Sequence, residues 1–149
     1  MAKVSVSKPV AADPAQVWQL VVDLPRYGEW NSMHEGFSGE LPASLGQGAT
    51  YKQQVKLMGM PAEIAWLVTE AKAPGQLELK GDGPMGVKAV NRWLIEPAGE
   101  GSLVTLEMEF KGVALAGPMG SMVEKQAETA METSLTQFVA LLGARDGGA

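Results

Sequence analysis

The sequence of 149 residues contains no cysteine, a single histidine, and 12 basic residues that are scattered along the chain. Without cysteine the protein can form no disulfide, and it offers neither a thiolate nucleophile nor a thiolate metal ligand. One histidine and dispersed carboxylates give little support to a metal site. The net charge of -5, without a cluster of basic residues, argues against binding to nucleic acid. We therefore expect no metal, no cofactor and no nucleic-acid partner.

Long apolar runs are also missing. No stretch of 18 or more apolar residues occurs, and the N-terminal segment lacks the continuous apolar core of a signal peptide. This predicts a cytoplasmic protein without stable membrane insertion. The length, with 46% hydrophobic and 19% charged residues, predicts one globular domain over residues 1–149 with an ordered core at about 2–143.

The first 30 residues predict a strand followed by two short helices. Alternation over residues 3–10 is typical of a half-buried strand. Asp13 and Pro14 supply an N-cap and a first helical residue, which predicts a helix over about 13–23. Tyr27 and Trp30 then belong to a second short helix or turn.

The middle of the chain predicts six consecutive strands. Phe37 is predicted to lie in a strand. Further strands are predicted at residues 50–56, 63–69, 76–80, 87–95 and 103–110, most of them from period-two patterns, with residues typical of turns between them. The segments 58–61, 81–86 and 97–102 are interpreted as such turns. Together with the first strand, this order indicates an α+β protein with a meandering antiparallel sheet.

The last third predicts one long amphipathic helix, which begins at Gly117-Pro118 and ends near Gly143. Its apolar positions recur every three or four residues, including Met119, Met122 and Met131. A helix of roughly 40 Å can cross an entire sheet. We expect it to cover a curved sheet with space beneath it.

This order of elements, with the motifs Ala12–Trp18, Asp23–Trp30, Trp66 and Glu96-Pro97, resembles the SRPBCC superfamily in its polyketide cyclase/dehydrase branch. The resemblance covers nearly the whole chain. It implies a START-like, helix-grip fold, in which a seven-stranded curved antiparallel sheet wraps around the C-terminal helix and two short helices lie between strands 1 and 2. Segments such as Lys56–Pro61 and Ala114–Gly120 are similar to an actinobacterial subgroup that includes a mycobacterial toxin-antitoxin-associated protein.

The resemblance also implies a ligand cavity between sheet and helix, whose wall we predict from the inward rows of the strands and the helix. The candidates for ligand contact are Tyr51, Gln53, Val55, Ile64, Trp66, Leu79, Asn91, Trp93, Met108, Met122, Met131 and Phe138. The candidates for the cavity entrance are Trp30, Met33, Met58 and Met60. A solid core would show the same alternation.

Three polar residues are weighed individually. Gln53 and Asn91 are amides in apolar rows, so each needs a ligand, a water or a neighbouring side chain as its partner. His34 could act as a general base, although the favoured interpretation is a surface loop histidine. No nucleophile elbow or Walker loop is present, so the catalytic residues remain unassigned.

The sequence thus leaves three functions open. The leading hypothesis is the binding of a hydrophobic or amphipathic small molecule, such as a lipid or polyketide-like compound. The second is a cyclase/aromatase-type enzyme. The third is a toxin-like component of a type II toxin-antitoxin pair, whose partner would be an antitoxin-like protein, and a homodimer is also left open.

Overall fold

The computed structural model describes residues 2–57, 60–112 and 117–147. Seven strands form one antiparallel sheet: β1 Ala2–Val10, β2 His34–Ser38, β3 Thr50–Leu57, β4 Met60–Lys72, β5 Gln76–Asp82, β6 Lys88–Ala98 and β7 Gly101–Lys111. The helices are α1 Pro14–Val21, α2 Tyr27–Trp30 and α3 Pro118–Gly147, with 3₁₀ turns at Leu24–Arg26 and Pro84–Gly86.

The strands lie in the order β1-β7-β6-β5-β4-β3-β2, so that the sheet is a meander whose first strand returns to pair with the last. The sheet curls into a half-barrel, and α3 lies in its concave side. The predicted α+β architecture, with seven strands and two short helices after β1, is confirmed.

Helix α1 begins where the sequence predicts. The Asp13 side chain accepts a hydrogen bond from the Gln16 amide over 2.9 Å, while the Gln16 side chain accepts one from the Asp13 amide over 3.1 Å. This reciprocal capping box satisfies two of the backbone donors that every helix N-terminus leaves free. Val17, Leu20 and Val21 are buried beneath the helix, which fixes α1 against the sheet.

Helix α3 begins at Pro118 as predicted, but it continues past Gly143 to Gly147. Its buried stripe includes Ala127, Met131 and Leu135, all at most 3% exposed. Met122 is 50% exposed and lies on the opposite side of the helix. Met131 follows Met122 by nine positions, or two and a half turns at about 3.6 residues per turn, so the two side chains lie on opposite sides of the helix.

The segment 81–86, predicted to be a turn, begins with two residues of strand β5. A Cβ atom at Gly81 would lie 2.7 Å from Ile64 Cγ2 and 2.8 Å from Trp66 Cε3. Glycine is therefore required here because two large side chains of β4 cross its backbone, which is one of the recognised roles of a glycine within a strand. The prediction of a turn glycine at this position was wrong.

Two hairpins are tighter than predicted. Pro97 pairs with Ser102 and Ala98 with Gly101, so the turn between β6 and β7 contains only Gly99 and Glu100. Gly99 has φ +59°, a conformation that glycine adopts without steric cost. Pro61, predicted to lie in a turn, belongs to β4 and pairs with Lys56.

The convex face of the sheet carries charged side chains, as the alternation in β7 predicts. Arg92 Nε donates to Glu78 Oε2 over 2.8 Å, and its guanidinium lies 3.8 Å from Glu109 and 4.0 Å from Glu107. Hydrogen bonds from Thr69 and Arg92 lower the pKa of Glu78. These acidic groups are therefore paired with an arginine on the face away from α3.

Candidate functional site

A cavity of about 60 Å³ lies between the concave face of the sheet and the short and long helices. Its described wall consists of Tyr27, Trp30, Asn31, Met33, Tyr51, Gln53, Val55, Ile64, Trp66, Asn91, Trp93, Leu106, Met108, Phe110, Met131 and Ser134. Since one water needs roughly 10–15 Å³ by this measure, the cavity has room for about four to six waters.

The structure brings nine of the twelve predicted ligand contacts together on this wall: Tyr51, Gln53, Val55, Ile64, Trp66, Asn91, Trp93, Met108 and Met131. Leu79 and Phe138 are buried at the base of the core, 1% and 0% exposed, and do not line the cavity. Met122 points away from it. The side chain of Phe138 instead supports the wall from behind.

Of the predicted entrance residues, Trp30 and Met33 line the cavity. Met60 begins β4, is 69% exposed and lies apart from the wall. Met58 falls outside the described residues. The side of the cavity next to α2 therefore holds the entrance candidates that the structure brings to the site.

Five wall residues were absent from the predicted site: Tyr27, Asn31, Leu106, Phe110 and Ser134. Leu106, Met108 and Phe110 follow one another at two-residue steps along β7 and so share one face of the strand. Ser134 follows Met131 by three residues and lies on the same face of α3. Tyr27 precedes Trp30 by three residues on α2. The pattern contained these signals, but it did not show that α2 folds inward.

Aromatic rings form the base of the cavity. Trp30 packs edge-to-face against Trp93 and Phe138, with centroid distances of 5.5 and 5.2 Å and interplanar angles of 90° and 89°. Trp93 and Phe138 lie 5.2 Å apart. Such perpendicular contacts add to the burial energy of the rings and fix their orientation. The cluster joins α2, β6 and α3 into one rigid support.

A chain of hydrogen bonds crosses the wall from Trp66 to His34. Trp66 Nε1 donates to Gln53 Oε1 over 2.9 Å, and Gln53 Nε2 lies 2.9 Å from His34 Nδ1. An indole N–H can only donate, so the Gln53 oxygen must face Trp66 and its NH₂ must face His34. The His34 Nδ1 atom therefore accepts, which places the proton of the neutral ring on Nε2.

His34 is accordingly a structural residue of β2, and the interpretation as a surface loop histidine was wrong. Its ring is partly buried and packs 4.5 Å from Phe37 and 5.9 Å from Tyr27. Desolvation lowers the pKa of His34, although the nearby Glu35 carboxylate acts in the opposite direction. The contact with His34 gives the buried Gln53 amide a second hydrogen-bond partner besides Trp66, as buried polar groups generally require.

Tyr27 and Tyr51 form a pair of buried phenols on the wall. Burial raises the pKa of Tyr27 to about 12, and a side-chain hydrogen bond with Tyr51 partly opposes this effect. Burial, followed by the proximity of Tyr27, raises the pKa of Tyr51 well above 10. Both side chains are therefore neutral near pH 7 and act as hydrogen-bonding groups rather than as acids or bases.

Asn91 has a partner for its amide nitrogen within the sheet. The Nδ2 atom donates to the Glu107 carbonyl oxygen and to Met108 Sδ, each over 3.2 Å. The Oδ1 atom receives no hydrogen bond from the described residues. Asn91 therefore presents a free acceptor on a wall residue.

The connection between α2 and β2 closes the cavity on one side and is attached to α3. The Ser32 amide donates to Ser134 Oγ over 2.9 Å, and the Ser32 hydroxyl donates to the Ala130 carbonyl over 3.1 Å. The Met33 carbonyl accepts from the Lys56 amide over 3.0 Å. We call residues 31–33 the clasp, because these bonds hold it to both α3 and β3.

One polar atom of the wall has no partner. Trp30 is 2% exposed, and its Nε1 atom makes no hydrogen bond within the described part of the chain. Buried polar groups in proteins are almost always hydrogen-bonded, and an unsatisfied one costs about 1–3 kcal/mol. Two residues of the wall, Trp30 and Asn91, therefore carry an unused donor and a free acceptor.

The chemical character of the wall is neutral. None of the described wall residues is Asp, Glu, Lys, Arg or His, and the tyrosines have raised pKa values. The described wall consists of apolar surface, which includes three methionines, and a few uncharged hydrogen-bonding groups. This combination is typical of pockets for uncharged small molecules.

Comparison with known proteins identifies the family. A family model described as polyketide cyclase / dehydrase and lipid transport matches residues 1–143. An uncharacterized Mycobacterium tuberculosis protein, Rv1546, is 36% identical over 143 residues, which are 96% of this chain and 100% of that protein. A second M. tuberculosis protein, named Toxin Rv0910, is 35% identical over 139 residues, covering 93% of this chain and 96% of that protein.

Solved structures agree on the fold. A START superfamily protein from Mycobacterium smegmatis superposes with a TM-score of 0.77 at 21% identity, and the match covers 97% of this chain and 99% of that chain. None of the helices in the described ranges is long and apolar enough to cross a membrane. Sheet order, cavity and family match agree, and the chain belongs to the polyketide cyclase/dehydrase and lipid transport family of the START-like SRPBCC superfamily.

Proposed function

We propose that the protein binds a hydrophobic or amphipathic small molecule in the cavity between the sheet and α3. The observation that carries this proposal is a hollow at the centre of the core, where a packed protein would place side chains. Its wall combines aromatic and aliphatic surface with unused hydrogen-bonding groups. The family description, which includes lipid transport, supports the same function.

The ligand needs more room than a cavity of about 60 Å³ provides. Pockets for small molecules typically measure roughly 300–1,000 Å³, several times the present volume. Met33, Met108 and Met131 line the wall, and an unbranched thioether side chain can change rotamers without leaving apolar surroundings. We infer that rotation of these methionines, together with release of the clasp, enlarges the site on binding.

The clasp is the part of the wall that can open with the least loss of contacts. Residues 31 and 33 are partly exposed and residue 32 is exposed, in contrast to the buried rows of β3, β4 and β6. Two hydrogen bonds of Ser32 hold it to α3, one from its backbone amide to Ser134 Oγ and one from its hydroxyl to the Ala130 carbonyl. Such bonds contribute roughly 0.5–1.5 kcal/mol each, so a ligand of modest affinity can displace them.

A cyclase reaction in the same cavity is the second candidate, and the Tyr27–Tyr51 pair is the feature that favours it. A phenol can donate a hydrogen bond to a carbonyl and so polarise it for ring closure. No residue of the described wall is suited to act as a general base near pH 7, since the pKa of Tyr27 is raised to about 12 and that of Tyr51 is also raised. Binding therefore remains the leading proposal.

Native mass spectrometry of the purified protein, compared with the denatured protein, tests the proposal directly. We expect either a co-purified apolar molecule or saturable binding of the neutral fluorescent probe N-phenyl-1-naphthylamine. Val55→Phe, which places a ring in the cavity, should weaken probe binding at least tenfold. Leu67→Phe is the matched control, because Leu67 is 42% exposed on the convex face. Equal affinity of both variants and wild type would contradict the proposed site.

A further inference from the structure

The indole N–H of Trp30 is the strongest unexplained feature of the cavity. Trp30 lies on the wall and is only 2% exposed. Its Nε1 atom has no hydrogen-bond partner among the described residues. A donor in this position leaves an unfavourable free energy in the empty protein. A molecule that brings an acceptor removes that penalty when it binds.

Three acceptors around the cavity already accept hydrogen bonds from elsewhere: Gln53 Oε1 from Trp66, Asn31 Oδ1 from the Met33 amide and Ser134 Oγ from the Ser32 amide. Asn91 Oδ1 is free, but it makes no hydrogen bond with Trp30 Nε1. The neighbours that pack closely on the Trp30 ring are Tyr27, Trp93 and Phe138. The protein therefore surrounds this donor mainly with aromatic rings.

The uncharged wall also disfavours ligands that carry a net charge. A carboxylate or ammonium group in this cavity would lose its hydration without meeting a counter-ion on the described wall, which costs several kcal/mol per ion even after relaxation. An uncharged ligand avoids that cost. Ring-shaped apolar groups gain additional contacts with the aromatic rings of the wall, such as Trp93.

We propose that Trp30 Nε1 is the specificity-determining donor of the cavity, and that the ligand is an uncharged aromatic molecule with a carbonyl or ether oxygen that accepts this hydrogen bond. This inference rests on the proposed function and names the class of ligand. Trp30 touches the ligand and selects it. An alternative account is an N–H···π contact with the perpendicular ring of Trp93 or Phe138, which would leave the donor unavailable.

Three probes of nearly the same shape separate these accounts: acetophenone, its hydrocarbon analogue α-methylstyrene, and the charged benzoate. The chain has four tryptophans and thus four indole N–H signals in a ¹H–¹⁵N spectrum. Acetophenone should shift the Trp30 signal downfield in a saturable manner, whereas α-methylstyrene should bind without that shift. One net hydrogen bond predicts about threefold to tenfold tighter binding of the ketone. Benzoate should not bind at the same concentrations.

The variant Trp30→Phe keeps an aromatic ring and removes the donor. It should bind α-methylstyrene as wild type does and lose the preference for acetophenone. Trp18→Phe is the matched control, since Trp18 lies on α1 and is not part of the wall, and it should keep the preference. The wild-type indole shift is informative even if Trp30→Phe folds poorly.

The outcomes are distinguishable. If both neutral probes bind equally, or if the preference persists in Trp30→Phe, the role of Trp30 is wrong while the cavity remains a binding site. Benzoate binding as tight as that of acetophenone would overturn the uncharged class. If neither acetophenone nor α-methylstyrene binds but N-phenyl-1-naphthylamine does, this inference is wrong and the proposed function stands. If none of the three binds, the proposed function itself fails, and this inference fails with it.

Discussion

Replacing Gln53 by leucine tests whether the hydrogen-bond chain across the cavity wall is structural. Gln53 is 4% exposed and bridges the Trp66 indole and the His34 ring, each over 2.9 Å. Leucine has a similar volume but cannot accept from Trp66 or donate to His34. The substitution therefore leaves one buried donor and one partly buried acceptor without partners.

The expected cost is about 2 kcal/mol of unfolding free energy. An unsatisfied buried donor costs roughly 1–3 kcal/mol, and the His34 acceptor adds less because water can reach its partly exposed ring. The more favourable burial of leucine offsets part of this loss. Urea denaturation at pH 7, followed by tryptophan fluorescence, measures the change, and the denaturant slope should stay constant.

A double-mutant cycle isolates the Trp66 bond. In a Trp66→Phe background the donor is absent, so Gln53→Leu should cost about 1 kcal/mol less than in wild type. Gln54→Leu is the matched control on the other face of β3, where the side chain is part-buried and donates to Ser38, and it should cost less than about 1 kcal/mol. A Gln53→Leu variant as stable as wild type, or a coupling energy near zero, would refute the reasoning.

Three further outcomes are expected. Burial lowers the pKa of His34, so below about pH 6.5 the unfolded chain binds more protons than the folded one. The free energy of unfolding should therefore fall as the pH drops from about 6.5 through the folded pKa. Urea denaturation at pH 5–7 should show this dependence in wild type, and the same dependence in His34→Gln would contradict it. Gly81→Ala should lose about 1–3 kcal/mol in urea denaturation because its Cβ meets β4, whereas Gly36→Ala, with nothing within 4 Å, should not. Ser134→Ala should speed hydrogen exchange of the Ser32 amide severalfold relative to Thr133→Ala; equal rates would count against the clasp.

The sequence by itself determined the order and type of the elements. Period-two alternation predicted most of the strands, and Asp13 with Pro14 and Gly117 with Pro118 predicted the starts of α1 and α3. These signals are local, because side-chain periodicity and terminal backbone groups depend on residues a few positions apart. Most of the wall followed from the same alternation once a sheet was assumed to face the helix.

Strand ends and helix faces were predicted less well. Gly81 has the composition of a turn but lies in β5, because its role is set by Ile64 and Trp66 on another strand. Met122 fits the three- and four-residue repeat of apolar residues in the sequence, yet it is half exposed, because the buried face of α3 is the one that carries Met131. The role of Gly81 is not visible in the local pattern, since it depends on which atoms another strand places nearby. The spacing of Met122 and Met131 shows that they cannot share a helix face, but only packing decides which of them is buried.

Only the tertiary structure decided which polar groups are engaged and which are free. Gln53 and Asn91 were equivalent candidates in sequence, yet Gln53 bonds to His34 and Trp66 whereas Asn91 keeps a free oxygen. The indole of Trp66 finds an acceptor, and that of Trp30, buried just as deeply, finds none among the described residues. A hydrogen bond requires two atoms to meet within about 3 Å, and for residues distant in sequence that distance is set by packing alone.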